Sequence, residues 1–240
     1  KSKALRSSLI KIAAAVELIH MASLVHDDVI DHASLRHNKP TINSKWGQDV
    51  AIAAGDYLYA EAFRLIAECG NSDVLGCIST ATKLMCEGEL QQVCERDNLN
   101  LLKQRYLIMV KKKTAVLFAA SCQTGAMLVN SNLLIQNTLK GYGLNFGIAF
   151  QIRDDCLDLI GKTKDLGKSP GADFRMGELT LPVLNLLAQG KDRNRILSLI
   201  KEQNNPEAFR DLRQSFINSE ADLKTKDDAS HYIQKAKESL

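Results

Sequence analysis

Two short acidic motifs with the same spacing carry the clearest chemistry in this chain. Residues 27–31 read D-D-V-I-D, and residues 154–158 read D-D-C-L-D. A helix would place the first and last aspartate of each motif on one face, about 6 Å apart along its axis. Because like charges at that spacing repel, each pair needs a cation, and Mg²⁺ shares its ligands between carboxylates and substrate phosphates. Both motifs lie in apolar segments, which favours a metal site over a solvated acidic face.

Basic side chains accompany the two motifs. Arg36, His37 and Lys39 follow the first motif, Lys111–Thr114 forms a second group, and Lys168 follows the second motif. Metal ions together with arginine and lysine clamps are what the binding of a diphosphate requires. The combination predicts a pocket for a diphosphate substrate, although the lysine run alone is equally typical of a solvated helix face.

The segment before the first motif is apolar and would extend away from the metals along the same helix. It contains Leu18, Ile19, Met21, Ala22 and Leu24. A substrate with a diphosphate head and a hydrocarbon tail fits this gradient of polarity. Metal ions that stabilise a leaving diphosphate would let the tail ionise to an allylic cation, and a dry pocket would protect that cation from water.

The elements that must position these residues are predicted to be helices, because apolar residues recur at three- and four-residue spacing. No alternation typical of a strand is sustained, and the composition of residues 161–178 predicts a loop. The predicted helices cover roughly residues 4–32, 47–67, 73–95, 101–129, 133–160, 180 onward and 218–239. We therefore predict a single all-α domain over residues 1–240.

The composition excludes several classes of protein. Of the 240 residues, 45% are hydrophobic and 25% are charged, so the chain can bury a core and is not disordered. A net charge of +3 favours neither a nucleic-acid partner nor a polybasic membrane anchor. No run reaches the roughly 18 apolar residues of a transmembrane segment. The six cysteines form no C-x-x-C pair, which favours free thiols in a reducing, cytoplasmic location.

Six segments together resemble the trans-isoprenyl diphosphate synthases, and most closely their long-chain, polyprenyl branch. They are HDDVIDHASLRHNKP at 26–40, GDYLYAEAF at 55–63, KKTAVLFA at 112–119, AFQIRDDCLD at 149–158, LGKSPGAD at 166–173 and LTLP at 179–182. The resemblance runs in unbroken order along the chain. It implies an all-α helical bundle of the isoprenoid synthase type around a deep central cavity, usually as a homodimer.

The resemblance also implies a metal site with three Mg²⁺ ions. Asp27 and Asp31, with Asp28 near them, are expected to hold two of the ions, and Asp154, with Asp158 as a second candidate, is expected to hold the third. The expected catalytic residues are Asp27, Asp28, Asp31, Lys113, Asp154 and Asp155.

The substrates implied by the resemblance are isopentenyl diphosphate and an allylic prenyl diphosphate, which condense to a longer prenyl diphosphate. Holding the two together brings the alkene of one to the cation of the other. His20 is expected to contact isopentenyl diphosphate, and His37 stands where the family usually has a second arginine for that substrate. The residues expected at the allylic diphosphate are Arg36, Lys113, Thr114, Gln151 and Lys168.

This sequence departs from the family pattern in three places. His37 offers one donor where arginine offers a charged fork, which predicts weaker or pH-dependent binding of isopentenyl diphosphate. Glu178 stands where the family usually has a lysine, and its carboxylate would repel phosphate unless it faces solvent. The family's upstream Gly-Lys and Arg-Pro segment and its final helix have no counterpart here, so we expect a partial view of a longer enzyme.

Family members set product length with residues about one turn before the first motif. Here Ala22 and Ser23 are small, and Ile19, one turn deeper, is of medium size. This predicts a product longer than twenty carbons, and Ala22→Phe should shorten it. Close helix packing is the alternative reason for small residues at these positions.

Four alternatives stay open at the level of the sequence. His26-Asp27 is typical of metal-dependent HD phosphohydrolases, but these need further histidine ligands and leave the second motif unexplained. Terpene cyclases share the first motif and the fold, but their second metal motif usually has Asn and Ser ligands. The other two are a short-chain farnesyl or geranylgeranyl synthase and a weakened partner subunit of a heteromeric synthase, which His37 and Glu178 favour.

Overall fold

The chain folds into a bundle of helices. The computed structural model describes residues 2–161, 170–190 and 192–240, so Lys168, a predicted diphosphate ligand, lies outside the described residues. The elements are α1 (Ser2–Ile30), α2 (Ile42–Trp46), α3 (Gln48–Ala67), α4 (Ser72–Cys94), α5 (Lys103–Val110), a π-helical turn (Lys111–Ala115), α6 (Val116–Leu128), α7 (Leu133–Ile160), α8 (Ala172–Arg175), α9 (Leu181–Ala188), α10 (Arg193–Lys201), α11 (Pro206–Ile217) and α12 (Ala221–Glu238). The predicted all-α fold is confirmed.

Two of the long helices begin at polar residues that the sequence marks as turns. Asn71 caps α4, since its side-chain oxygen accepts hydrogen bonds from the N–H groups of Asp73 and Val74, both at 3.1 Å. Asn132 caps α7 by accepting from the N–H of Ile135 at 2.9 Å. Such caps satisfy donors without an intrahelical partner and typically stabilise a helix by about 1 kcal/mol.

Two apolar clusters fill the bundle. One joins α1, α3, α4 and α6, with Ile19, Ile66 and Ile78 fully buried. The other joins α5 and α7 to the helices that follow them, with Ile152 and Phe216 fully buried. Burying one side chain of this size contributes roughly 1.5–3 kcal/mol. The two helices that carry the aspartate motifs, α1 and α7, are therefore each anchored in a packed core.

Close contact between α1 and α3 depends on a glycine beside the first motif. The ring of His26 lies against Gly55, where an added Cβ would come within 2.2 Å of His26 Nε2. The same nitrogen is 3.2 Å from the carbonyl oxygen of Ile52. This contact packs the residue before the first motif against the glycine that begins the GDY segment.

A π-helical turn interrupts the helix predicted over residues 101–129. The turn packs between two glycines: a Cβ on Gly88 of α4 would lie 2.4 Å from the backbone nitrogen of Lys113, and a Cβ on Gly147 of α7 would lie 2.6 Å from Cα of Ala115. Turns of this kind inside α-helices are frequent at functional sites. Here the turn carries Lys113 and Thr114, two of the predicted substrate ligands.

Among the described residues, the sequence prediction missed several short elements, including α2, a hairpin and α8. A hairpin of β1 (Leu35–Arg36) and β2 (Lys39–Pro40) follows the first motif. Its turn places His37 at φ 50° and Asn38 at φ 61°, a left-handed conformation. The short helix α8 lies within the segment predicted as a loop. Elements of so few residues are too short to show a hydrophobic period.

Helix α1 has the length and apolar composition of a possible membrane span, which the sequence prediction did not anticipate. Over Lys3–Ile30 it is long and apolar enough, by length and composition alone, to cross a membrane. Its residues Ile12, Ala15 and Ile19 are buried in the cluster shared with α3, α4 and α6. Packing inside the bundle thus accounts for part of its apolar surface.

Candidate active site

A cavity of about 840 Å³ lies between α1, α3, α4, α6 and α7 and brings most of the predicted site residues together. These are His20, Ser23, Asp27, Asp31, Arg36, His37, Lys113, Thr114, Gln151, Asp154 and Asp155. The apolar part of the lining includes Val16, Leu24, Tyr59, Met85, Leu117, Phe118 and Phe150. The cavity therefore combines polar walls that contain both aspartate motifs with an apolar lining.

Asp27 faces this cavity in a crowded group of charges. Lys113 Nζ, on the π-helical turn, is 3.8 Å from Asp27 Oδ2 and also forms an ion pair with Glu89 of α4. Burial raises the pKa of Asp27 to about 7, Lys113 opposes this rise, and the charges of Glu89 and Asp31 add to it. A divalent cation near these carboxylates would favour their ionised forms.

Asp28 has a different environment from the two aspartates beside it. It is buried and binds Arg36, whose Nη2 is 2.9 Å from Asp28 Oδ1 and whose Nε donates to both carboxylate oxygens at 3.0 and 3.2 Å. Arg36 in turn lines the cavity. Asp28 therefore holds a predicted diphosphate ligand in place, which differs from the expected position next to the metals.

Asp31 contacts an arginine that the sequence did not single out. Arg96, which follows α4, places Nη2 2.6 Å from Asp31 Oδ1 and 2.9 Å from Glu178 Oε1. Gln92 also donates a hydrogen bond to Glu178. Burial raises the pKa of Asp31, and the charges of Lys113 and Arg96 oppose that rise. Glu178 lines the cavity with a side chain only 9% exposed, so it does not face solvent.

The first two aspartates of the second motif also differ from each other. Asp154 lines the cavity and is exposed, whereas Asp155 is buried and accepts hydrogen bonds from the Tyr106 hydroxyl and from Gln151 Nε2, the latter at 2.8 Å. Thr114 Oγ1 donates to Gln151 Oε1 at 2.8 Å. Burial raises the pKa of Asp155 to about 7, and the hydrogen bonds from Gln151 and Tyr106 oppose the rise. Thr114 and Gln151 thus belong to one hydrogen-bonded chain.

Asp158, the last residue of the second motif, anchors a neighbouring segment of backbone. Its Oδ1 accepts from the N–H of Ala172 at 3.2 Å, and its Oδ2 accepts from the N–H of Asp173 at 3.1 Å. Its carbonyl oxygen accepts from the N–H of Gly171 at 2.8 Å. The side chain is 2% exposed and is not among the described residues that line the cavity. This geometry differs from the expected role of Asp158 as a metal ligand.

The residues expected to limit product length lie in different surroundings. Ser23 lines the cavity, and its Oγ donates to the carbonyl oxygen of His20 at 2.8 Å. Ile19 and Ala22 are fully buried, and neither is among the described residues that line the cavity. Helix packing, the alternative left open by the sequence, explains the small residue at position 22. A bulky side chain at position 23 would narrow the cavity.

Several described residues at the site were not identified from the sequence. Glu89 and Gln92 lie one turn apart on α4, and Tyr106 lies two turns before the lysine of the π-helical turn, so polar residues at helical spacing were a usable signal. Arg96 and Asp173 lie at the ends or outside of the long helices, where only tertiary contacts bring them to the site.

The oxygen-rich lining fits a hard divalent cation. Among the described residues, no group of three or more His, Cys, Asp or Glu side chains is close enough to hold one ion by itself. The cavity instead offers Asp27 and Asp31 on one wall and Asp154 on another. Mg²⁺ is usually bound by one or two carboxylates together with substrate phosphates and water. The carboxylates on the two walls of the cavity fit this mode of coordination.

The all-α bundle around this cavity matches solved polyprenyl synthases and so has the isoprenoid synthase type of fold. The chain belongs to the polyprenyl synthetase family, whose family model matches residues 2–216. The predicted family is thereby confirmed.

Individual relatives agree with this assignment. The chain is 43% identical over 177 residues to heptaprenyl diphosphate synthase component 2 of Geobacillus stearothermophilus, covering 74% of this chain and 55% of the relative. It is 38% identical over 200 residues to geranylgeranyl diphosphate synthase of Saccharolobus solfataricus, covering 80% of this chain and 60% of the relative. The chain therefore spans little more than half the length of these curated relatives.

A solved structure matches almost the whole chain. The polyprenyl synthase of Caulobacter crescentus, in complex with calcium and isoprenyl diphosphate, superposes with a TM-score of 0.90 at 38% identity. The match covers 99% of this chain and 75% of that one. The architecture around the cavity is thus shared with an enzyme of the same family.

Proposed function

We propose that this protein condenses isopentenyl diphosphate with an allylic prenyl diphosphate to form a longer prenyl diphosphate. One observation carries the proposal: both aspartate motifs line a single cavity whose remaining lining is largely apolar. The diphosphate requires the charged walls, and the hydrocarbon tail and its cation require the apolar part. Relatives named as prenyl diphosphate synthases support the same chemistry.

In the proposed reaction, the charged residues bind the allylic diphosphate. Asp27 and Asp31 would hold Mg²⁺ on the α1 wall and Asp154 on the α7 wall, with three ions per site. Bound Mg²⁺ would supply positive charge that stabilises the leaving diphosphate. Lys113 and Arg36 bind the diphosphate oxygens by charge-assisted hydrogen bonds, and Lys168 is proposed as a further ligand.

The remaining polar residues orient the reacting groups. Thr114 and Gln151 lie in the hydrogen-bonded chain that ends at Asp155, which fixes their side chains. His20 and His37 are proposed to contact isopentenyl diphosphate. Holding its alkene against the allylic carbon converts a meeting of two molecules into a step within one complex. The apolar lining excludes water, and the proton lost after condensation passes to the departing diphosphate.

A product longer than twenty carbons is part of this proposal. Ser23 is a small residue in the α1 wall of the cavity, between the larger lining residues His20 and Leu24. Ser23→Phe should therefore shorten the dominant product, as measured by chromatography of the dephosphorylated prenyl alcohols. Ala22→Phe is the matched comparison, because Ala22 is fully buried and a phenylalanine there mainly disturbs packing. An unchanged product from Ser23→Phe would contradict the proposed role of this cavity wall.

The assembly and location of the protein are also proposals. We propose a homodimer in the cytoplasm. The alternative is a subunit of a heteromeric synthase, and it is supported by relatives named component 2 of heptaprenyl diphosphate synthase in Geobacillus stearothermophilus and Bacillus subtilis. Light scattering of the purified protein gives its mass, and activity of that protein without a second chain would exclude an obligatory partner.

One assay separates the proposal from its rivals. The full-length protein is incubated with isopentenyl diphosphate, a labelled allylic primer and Mg²⁺, and the experiment is repeated with a chelator. Metal-dependent formation of longer prenyl diphosphates supports the proposal. Cyclic hydrocarbon would indicate a terpene cyclase, free phosphate alone would indicate a phosphohydrolase, and no turnover would favour an inactive partner subunit.

A further inference from the structure

Arg96 joins three separate segments of the chain at one guanidinium group. Its Nη2 is 2.6 Å from Asp31 Oδ1 at the end of α1. Its Nε and Nη2 are each 2.9 Å from Glu178 Oε1 on the segment before α9. Nη1 is 3.5 Å from the carbonyl oxygen of Ile30. One arginine after α4 thus lies between two carboxylates that both line the cavity.

Backbone contacts hold Arg96 and Glu178 next to each other independently of their charges. The N–H of Asp97 donates to the carbonyl oxygen of Gly177 at 2.9 Å. Gly177 has a φ of 71°, and an added Cβ would come within 2.2 Å of Asp97 Oδ1. The residues after Arg96 and before Glu178 are therefore fixed against each other. The backbone of these two segments therefore places the guanidinium beside Asp31.

The three side chains are mostly withdrawn from solvent. Arg96 is 18% exposed, Glu178 is 9% exposed and Asp31 is 32% exposed. Charge pairs in such surroundings are screened less than surface pairs and have defined geometry. Arg96 engages Oδ1 of Asp31, and among the described residues no hydrogen bond or ion pair engages Oδ2.

We propose that Arg96 is a positioning residue, held by Glu178, that orients the Asp31 carboxylate for metal binding. The inference rests on the proposed function, since it assigns Asp31 to a Mg²⁺ ion. The inference also explains the glutamate at position 178. Glu178 holds the Arg96 guanidinium, and that guanidinium in turn holds the Asp31 carboxylate. Groups that hydrogen-bond to a metal ligand commonly change metal affinity by about 10–100-fold when removed.

The test measures metal binding directly, without turnover. Mn²⁺ is titrated into wild-type protein and into Arg96→Gln, Arg96→Lys and Glu178→Gln, and free Mn²⁺ is followed by electron paramagnetic resonance. Arg96→Gln should weaken binding about tenfold or more, and Glu178→Gln should weaken it less. Arg96→Lys should recover part of the affinity, since lysine keeps the charge but not the planar fork.

A double-mutant cycle tests the coupling between the two residues. If Glu178 acts through Arg96, the pair Arg96→Gln with Glu178→Gln should bind Mn²⁺ no more weakly than Arg96→Gln alone. Additive losses of affinity would overturn that part of the inference. An affinity for Mn²⁺ in Arg96→Gln within about twofold of wild type, with only a lower melting temperature, would overturn it entirely and leave Arg96 as a structural ion pair.

The chain offers a matched control for the arginine. Arg64 also lies between two carboxylates, Glu61 and Glu68, but on the exposed surface of α3. Arg64→Gln should leave Mn²⁺ affinity unchanged. The prenyl transfer assay is run on the same samples. A wild-type protein without prenyl transfer, but with Mn²⁺ binding that depends on Arg96, would refute the proposed function and keep the role of Arg96.

Discussion

The two aspartate motifs have the same spacing but different surroundings. In the first motif, the outer residues Asp27 and Asp31 line the cavity, and the middle residue Asp28 is buried against Arg36. In the second motif, only the first residue, Asp154, is an exposed part of the cavity lining. The other two aspartates of this motif, Asp155 and Asp158, are buried and hydrogen-bonded within the protein.

The difference shows that two motifs with the same spacing can expose different carboxylates to the cavity. The first motif presents two carboxylates to the cavity, where Lys113 and Arg96 partly balance their charge. The second presents one exposed carboxylate, while Asp155 and Asp158 hold neighbouring segments in place. Helical periodicity places residues on a face, but the partners across that face decide which carboxylates remain open to a ligand.

The largest effect is expected from the first motif. Asp27→Asn should lower turnover about a hundredfold or more, because it removes a proposed metal ligand that faces the cavity. Steady-state rates of prenyl transfer at saturating Mg²⁺ give the result. Asp227→Asn, on the exposed side of α12, is the control. A rate of prenyl transfer by Asp27→Asn close to that of the control would contradict the assignment of the first motif to metal binding.

A smaller loss is expected at the first residue of the second motif. Asp154→Asn should lower turnover by about tenfold to a hundredfold, since one exposed carboxylate contributes to this wall. The Mg²⁺ concentration for half-maximal rate should rise with it. Equal losses for Asp154→Asn and Asp27→Asn would mean that both motifs contribute alike, against the comparison drawn from their surroundings.

Asp158→Asn should act on stability instead of on metal binding. The amide keeps one acceptor oxygen for the N–H groups of Ala172 and Asp173, so the variant should lose about 1–3 kcal/mol of unfolding free energy. Urea denaturation gives this value. The Mg²⁺ dependence should match wild type within about twofold, in contrast to Asp154→Asn. If Asp158→Asn raised the Mg²⁺ concentration for half-maximal rate as much as Asp154→Asn does, Asp158 would have to be assigned to the metal site.

Tyr106→Phe should have a modest effect on stability. It removes one of the donors to the buried carboxylate of Asp155 and is expected to cost about 1–2 kcal/mol. The loss should be greater at pH 8 than at pH 5, because only the ionised carboxylate needs every donor. Thermal melts at both values measure this, with the exposed Tyr57→Phe as the control. A loss independent of pH would point to packing instead.

A separate effect concerns the pH dependence of stability in the metal-free protein. Burial raises the pKa of Asp155 to about 7, above its ordinary value of 3.8. The folded state therefore binds more protons than the unfolded state between these values, so the free energy of unfolding falls as pH rises from about 4 to 7. Asp155→Asn should flatten this slope in melts with excess chelator. An unchanged slope would assign the pH dependence to other groups such as Asp27.

Most of the fold follows from the sequence because long helices leave a strong periodic signal. The ends of α3, α4 and α7 fall within a few residues of the predicted ranges. The π-helical turn did not follow, since it depends on Gly88 and Gly147 of other helices. The hairpin after the first motif was also missed, because two-residue strands have no measurable period.

The spacing of the first motif singled out Asp27, and the family resemblance singled out Lys113 and Gln151; their roles stay predictions. Asp27, Lys113 and Gln151 line one cavity as expected. Arg96 and the anchoring contacts of Asp158 could not be found in this way, because they depend on which segments meet in three dimensions. A sequence motif identifies candidate metal ligands. Tertiary contacts then engage some of these carboxylates in hydrogen bonds that hold neighbouring segments in place.

Charge is distributed unevenly between the molecule and its cavity. The chain as a whole has a net charge of +3, yet among the described residues that line the cavity, acidic side chains outnumber lysine and arginine. A bare diphosphate approaching these walls would be repelled, whereas a divalent cation or a diphosphate already neutralised by one would be attracted. If the proposed diphosphate substrates bind here, we therefore expect cations to enter first or to accompany the substrate.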